Sequence, residues 1–136
     1  MSEESDLLLA FSEDAKGMFP KVQTIAASLK ENSNQPQLYD EFKAVADAVY
    51  AASAALGFKE LEEYSSSVKK LCAMCGKSYK QEPGTYAAVW DIVKVYATNF
   101  GRVLESAHDP KLFRSMRSAF IMETVKAEQI YARIKN

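Results

Sequence analysis

A chain of 136 residues with 48% hydrophobic residues is the size of one domain and carries enough apolar material for a single sizeable core. Its 17 basic and 18 acidic residues nearly cancel, to a formal net charge of -1, so no global field favours nucleic acid or an anionic membrane. The opening stretch MSEESDLLLAF is acidic where a secretory signal needs positive charge, and its apolar run is too short to span a bilayer, so a soluble cytoplasmic protein is expected.

Sustained apolar/polar alternation is absent, whereas apolar side chains recur at three- and four-residue spacing from end to end, which predicts an all-helical chain. In the first helix Leu8, Phe11, Ala15, Met18, Val22, Ile25 and Leu29 form a bundle seam. The seam crosses Gly17 and Pro20, predicting one helix kinked there rather than two, with a break as the alternative, and KENSNQPQ ends it. The second helix repeats the seam with Leu38, Phe42, Val45, Val49, Ala52 and Leu56, and Gly57 is its natural stop.

A third helix, from about Lys59, uses Leu61, Tyr64, Val68, Leu71 and Cys75 and ends near KSYKQEPG. The fourth, from about Thr85, uses Val89, Ile92, Tyr96, Phe100 and Val103. In the turn SAHDP, Asp109 has the chemistry of an N-cap and Pro110 that of a first helical residue. The fifth helix is predicted to run from Pro110 almost to Asn136 through Phe113, Met116, Phe120, Ala127, Tyr131 and Ile134. Short connections between long amphipathic helices predict one domain over residues 1–136, an all-α antiparallel up-and-down four-helix bundle with an additional C-terminal helix.

The second helix has little polar cover: seven alanines lie between Ala44 and Ala55. At about 100° per residue, Asp47 points away from the seam, and Lys43, Tyr50, Ala51 and Ala54 share its side. This shallow platform of small side chains suits close approach by another helix. Either the fifth helix covers it or a partner does. Lys43 is the one cation expected beside Asp47.

The run FKAVADAVYAASAALGFKELEEYSSSVKKL, residues 42–71, resembles the histidine-phosphotransfer (HPt) domain, in particular the phosphoacceptor domain of chemotaxis histidine kinases. That family's pattern is roughly A-H-x-L-K-G-S-A-x-x-L-G. Ala46, Ala54, Leu56, Gly57, Phe58 and Leu61 are aligned with it, Val49 takes the leucine position, and LLLAFSEDAKGMFPKVQTIAASL looks like the family's first helix, proline included. The likeness covers about residues 6–75.

Three chemical positions depart from the pattern: Asp47 stands where the family has its phosphorylated histidine, Tyr50 where it has an assisting lysine, and Ala51 where it has glycine. An imidazole accepts phosphate reversibly near neutral pH, whereas phosphoryl transfer involving a carboxylate depends on Mg²⁺ and cationic groups that this face does not supply. The resemblance therefore implies a non-catalytic HPt-like module with no catalytic residue, cofactor or metal. Its partner would be a receiver domain or histidine kinase in two-component or chemotaxis-type signalling. Asp47, Tyr50, Ala51 and Ala54 would lie in the contact, with Lys43 and Phe58 near its edge. An ordinary solvated carboxylate is favoured for Asp47 over a mimic of phosphohistidine, because one carboxylate holds less charge than a phosphate monoester. The alternative is a structural or self-associating bundle protein with no phosphorelay role.

Other candidate chemistry is sparse. His108, the single histidine, sits beside Asp109 in a turn and reads as a turn residue near a helix C-terminus rather than a base with its orienting carboxylate. Cys72 and Cys75 share one helical side, but a zinc site needs four ligands and no second pair exists, so they read as small buried hydrophobes. Glu62 and Glu63 fall on a solvated face without a companion pocket. Trp90, Tyr96, Phe100, Phe113 and Phe120 read as packing residues, since no basic stripe accompanies them, and no glycine-rich phosphate loop is present.

Overall fold

Prolines, glycines and one capping aspartate set most of the boundaries that this chain adopts. The computed structural model describes residues 3–77 and 83–135, and each element among them is helical. They are α1 (Glu3–Ala15), a 3₁₀ turn (Lys16–Met18), α2 (Phe19–Glu31), α3 (Pro36–Leu56), α4 (Lys59–Lys77), α5 (Pro83–Glu105), α6 (Pro110–Ser115) and α7 (Arg117–Lys135). The KSYKQEPG stretch expected to end the third helix lies mostly outside the described residues.

At Gly17 the chain tightens into the 3₁₀ turn but stays right-handed, with Ala15 at φ -78 and Met18 at φ -85. Pro20 falls in the first turn of α2, where a missing N–H breaks no helical hydrogen bond. The seam continues across this interruption: Leu8, Phe11, Ala15, Val22, Ile25 and Leu29 are all buried.

Gly57 ends α3 at φ 78 in the left-handed region, the one positive φ among the described residues. The Phe58 N–H donates to the Ser53 carbonyl at 2.9 Å and the Gly57 N–H to Ala54 at 3.3 Å, the two bonds of a Schellman motif. α4 follows after two residues, so α3 and α4 form a helical hairpin. The two helices approach closely at the far end, where a Cβ on Gly76 would sit 3.3 Å from the Asp40 Cα.

Asp109 caps α6 by accepting a hydrogen bond from the Leu112 N–H at 3.1 Å, with Pro110 next. The fifth helix does not run unbroken. It is interrupted at Met116, whose N–H bonds back to Phe113 at 3.0 Å, and no proline or glycine in the sequence announces this. The interruption lets α6 reach α1 while α7 lies along α4 and α5.

α4 packs against α3, α5 and α7. Tyr64 of α4 meets Tyr96 of α5 edge to face at 4.9 Å, and both rings are buried. Their hydroxyls are satisfied: Tyr96 shares a 2.7 Å hydrogen bond with Ser65, and Asn99 donates to the Tyr64 oxygen at 3.2 Å. The Tyr39 hydroxyl of α3 donates to the Tyr86 carbonyl of α5 at 3.1 Å. On the other side, Glu128 of α7 accepts from Lys70 at 2.7 Å and from Ser67 at 3.0 Å. Partial burial raises the Glu128 pKa, but these hydrogen bonds outweigh it and hold the carboxyl below its ordinary value.

Gly57→Ala places a Cβ in open space but in a backbone region that L side chains avoid, so it should lower unfolding free energy by about 1–2 kcal/mol. Gly17→Ala, also in open space but without positive φ, should raise it by about 0.5 kcal/mol. Urea unfolding checks both: the midpoint should move in opposite directions with the slope unchanged.

Candidate functional site

The outward side of α3 is open. Ala44, Asp47, Ala48, Ala51, Ala54 and Ala55 are exposed, whereas Phe42, Val45, Ala46, Val49 and Ser53 on the opposite side are buried. α7 packs on α4 and α5 and leaves Ala51 and Ala54 uncovered, so the alternative in which the fifth helix covers the platform does not hold.

Asp47 has a partner that its own helix did not suggest. Lys69, on the facing side of α4, places its Nζ 3.0 Å from an Asp47 oxygen and 4.8 Å from the centre of the Tyr50 ring. Lys43, the cation expected beside Asp47, instead approaches Asp40 at 3.9 Å. The signal for Lys69 was present in the hairpin register, since a two-residue turn after Leu56 brings the 69 position opposite 47. A reading of one helix at a time misses it. The pair stays wet, with Asp47 58% and Lys69 33% exposed, so its net contribution is about 0–1 kcal/mol. The ammonium over the half-buried Tyr50 ring adds about 0.5–1 kcal/mol.

Phe58 lies away from this pair. It is half-buried at the α3–α4 turn, 5.0 Å from the Phe113 ring and 5.8 Å from that of Phe11. With Leu7, Leu56 and Phe113 it lines an end cleft of ≈ 320 Å³. Two ion pairs rim that cleft, Arg114 with Glu4 and Arg117 with Glu60, the second at 3.1 Å. The cleft draws on α1, α3, α4, α6 and α7 and could not be assembled from local sequence.

The remaining candidates are placed as follows. His108 is exposed in the α5–α6 connection, and Asp109 is engaged as the α6 cap. Glu63 is exposed and Glu62 half-exposed. Tyr96, Phe100 and Phe120 are buried, and Trp90 and Phe113 pack against the same core. Among the described residues no group of three or more histidine, cysteine or acidic side chains has the geometry to hold a metal ion. No helix among them is long and apolar enough to cross a membrane.

Cys72 and Cys75 are free and buried. Burial pushes the Cys75 thiol up to about 12, and burial together with Cys75 pushes Cys72 higher still. Thiols held protonated in this way are poor nucleophiles and poor metal ligands.

Three outcomes follow from this geometry. A double-mutant cycle on Asp47→Asn and Lys69→Met should give a coupling below about 1 kcal/mol that shrinks further in high salt. An aromatic disulfide reagent should leave both thiols unmodified in the folded chain and react with both in guanidinium. Because the folded thiols keep their protons while the unfolded ones ionise, stability should fall as pH rises from the ordinary thiol value of 9.0 toward about 12, as followed by circular dichroism. The chain matches no protein-family model, no curated protein and no solved structure.

Proposed function

We propose that this chain is a non-catalytic, HPt-like interaction module of two-component or chemotaxis-type signalling, which docks a receiver domain or histidine kinase on the outward face of α3. In this reading the kinked α1–α2 helix, α3, α4 and α5 are the four members of an antiparallel up-and-down bundle, and α6–α7 is the addition to it. The supporting observation is the uncovered run of Ala44, Ala48, Ala51, Ala54 and Ala55 around Asp47. Small side chains let a partner helix approach closely and bury apolar area at little cost in side-chain ordering.

Asp47 enters this reading as a positioning charge, not as an acceptor. It is one carboxylate held by one lysine, with no imidazole and no second carboxylate in the pair to hold Mg²⁺. The same lysine neutralises it, which argues against a role in imitating phosphohistidine.

Replacing Ala51 or Ala54 with glutamate or arginine should leave the helical content and unfolding midpoint nearly unchanged, since both sites are exposed, and should abolish capture of the cognate receiver domain. Retained capture removes the platform from the reading. Incubation with a phosphorylated receiver and Mg²⁺ should leave Asp47 unlabelled, and stable label there would reassign the protein as a phosphotransferase. Light scattering across a concentration series separates the structural alternative: a monomer is expected, and a dimer lost in Ala51→Glu would assign the same face to self-association.

A further inference from the structure

The end cleft separates its lining by chemistry. Its floor is apolar: Leu61 and Phe120 are buried, and Leu7, Leu56, Phe58 and Phe113 are half-buried around them. The rings of Phe58, Phe113 and Phe120 run in a chain, with successive centres 5.0 Å and 6.3 Å apart. The mouth is charged. Its bases, Arg114 and Arg117, come from α6 and α7 three residues apart, whereas its acids come from other elements, Glu3 and Glu4 from α1 and Glu60 from α4. Glu4 answers Arg114 and Glu60 answers Arg117, while Glu3 is exposed and has no ion pair among the described residues.

The volume of ≈ 320 Å³ stands at the small end of the range for pockets that hold a small molecule. At about 30 Å³ per water it equals about ten waters, the bulk of a molecule of about ten to fifteen non-hydrogen atoms. The rim pairs are wet, with side chains 42% and 51% exposed in Glu4 and Arg114 and 28% and 60% exposed in Glu60 and Arg117. Pairs of this kind contribute about 0–1 kcal/mol, so the mouth rearranges cheaply around a ligand that answers its charges. Arg117 meets Glu60 through Nε, which leaves the fork of its two terminal nitrogens facing a carboxylate's usual approach.

We propose that the end cleft binds a free α-amino acid with a large apolar side chain, of which phenylalanine is the type. The ring lies on the aromatic floor, the carboxylate meets Arg114 and Arg117, and the ammonium meets Glu3 and Glu4. Such a ligand carries both charges on one carbon, and the Arg114–Glu4 contact shows that the mouth holds opposite charges equally close together. A neutral apolar molecule of the same size would cover these charges and answer none of them. An apolar anion would bring its charge beside three carboxylates, and an apolar cation beside two guanidiniums. The cleft is independent of the α3 platform, since Asp47 and the exposed alanines line no part of it.

The test titrates the full chain with four small molecules and follows its amide signals. They are L-phenylalanine, phenylalanine amide, which lacks the carboxylate, N-acetylphenylalanine, which lacks the ammonium, and alanine, which lacks the ring. Phenylalanine should saturate the protein and shift residues 3–7, 56–61 and 113–117, and the other three should bind at least about tenfold more weakly. Arg117→Gln, at an exposed position, should keep the unfolding midpoint, weaken phenylalanine binding by about tenfold and erase its advantage over the amide. Glu3→Gln should narrow its advantage over N-acetylphenylalanine. Failure of phenylalanine to saturate, equal binding of either blocked form, shifts confined to other residues, or undiminished binding to Arg117→Gln would each overturn the proposal. Tighter binding of N-acetylphenylalanine amide would overturn it too, by assigning the cleft to a side chain of a peptide.

Discussion

The α3–α4 hairpin is the constraint on which the candidate site depends. Gly57 reverses the chain in two residues, and a turn that short leaves the helices one register in which to face each other. That register sets Asp40 against Gly76 at one end and Asp47 beside Lys69 midway. A slip of one residue would rotate α4 by about 100°, moving Lys69 off the Asp47 side and Tyr64 off the core. The carboxylate, the ring of Tyr50 and the lysine are thus one consequence of a backbone turn made far from them.

A second constraint is polar. α4 and α5 bury tyrosines whose hydroxyls would be costly if unpaired, and Ser65 and Asn99 stand where those hydroxyls need them. An apolar core of this size tolerates helix sliding, but the Tyr96–Ser65 and Tyr64–Asn99 bonds do not, because a shift of an ångström or two breaks them. These bonds fix α5 relative to the hairpin. The Glu128 contacts with Lys70 and Ser67 do the same for α7.

Much of the local architecture was legible because it follows from periodicity and from residues with special backbones. The seam residues Leu8 to Leu29, Phe42 to Val49 and Val89 to Val103 lie on buried faces, Gly57 and Pro110 stand at helix ends, and Asp109 caps. The outward direction of Asp47 was legible for the same reason, since a helix has one period. The interruption at Met116 was not, because neither proline nor glycine marks it and its effect is to orient α6 toward α1. Nor was the position of Phe58, whose neighbours Phe11 and Phe113 are distant in sequence.

The sequence by itself determined which segments are helices, where most of them stop and which side of each is apolar, because those properties depend on neighbours within one turn of chain. Tertiary structure alone decided which cation answers Asp47, that α7 leaves the alanine face uncovered, and that Glu128 of α7 is held by Lys70 and Ser67 of α4. Each of these depends on how two helices are rotated against one another, and that rotation is set by the sum of many contacts between segments that no single stretch of sequence contains.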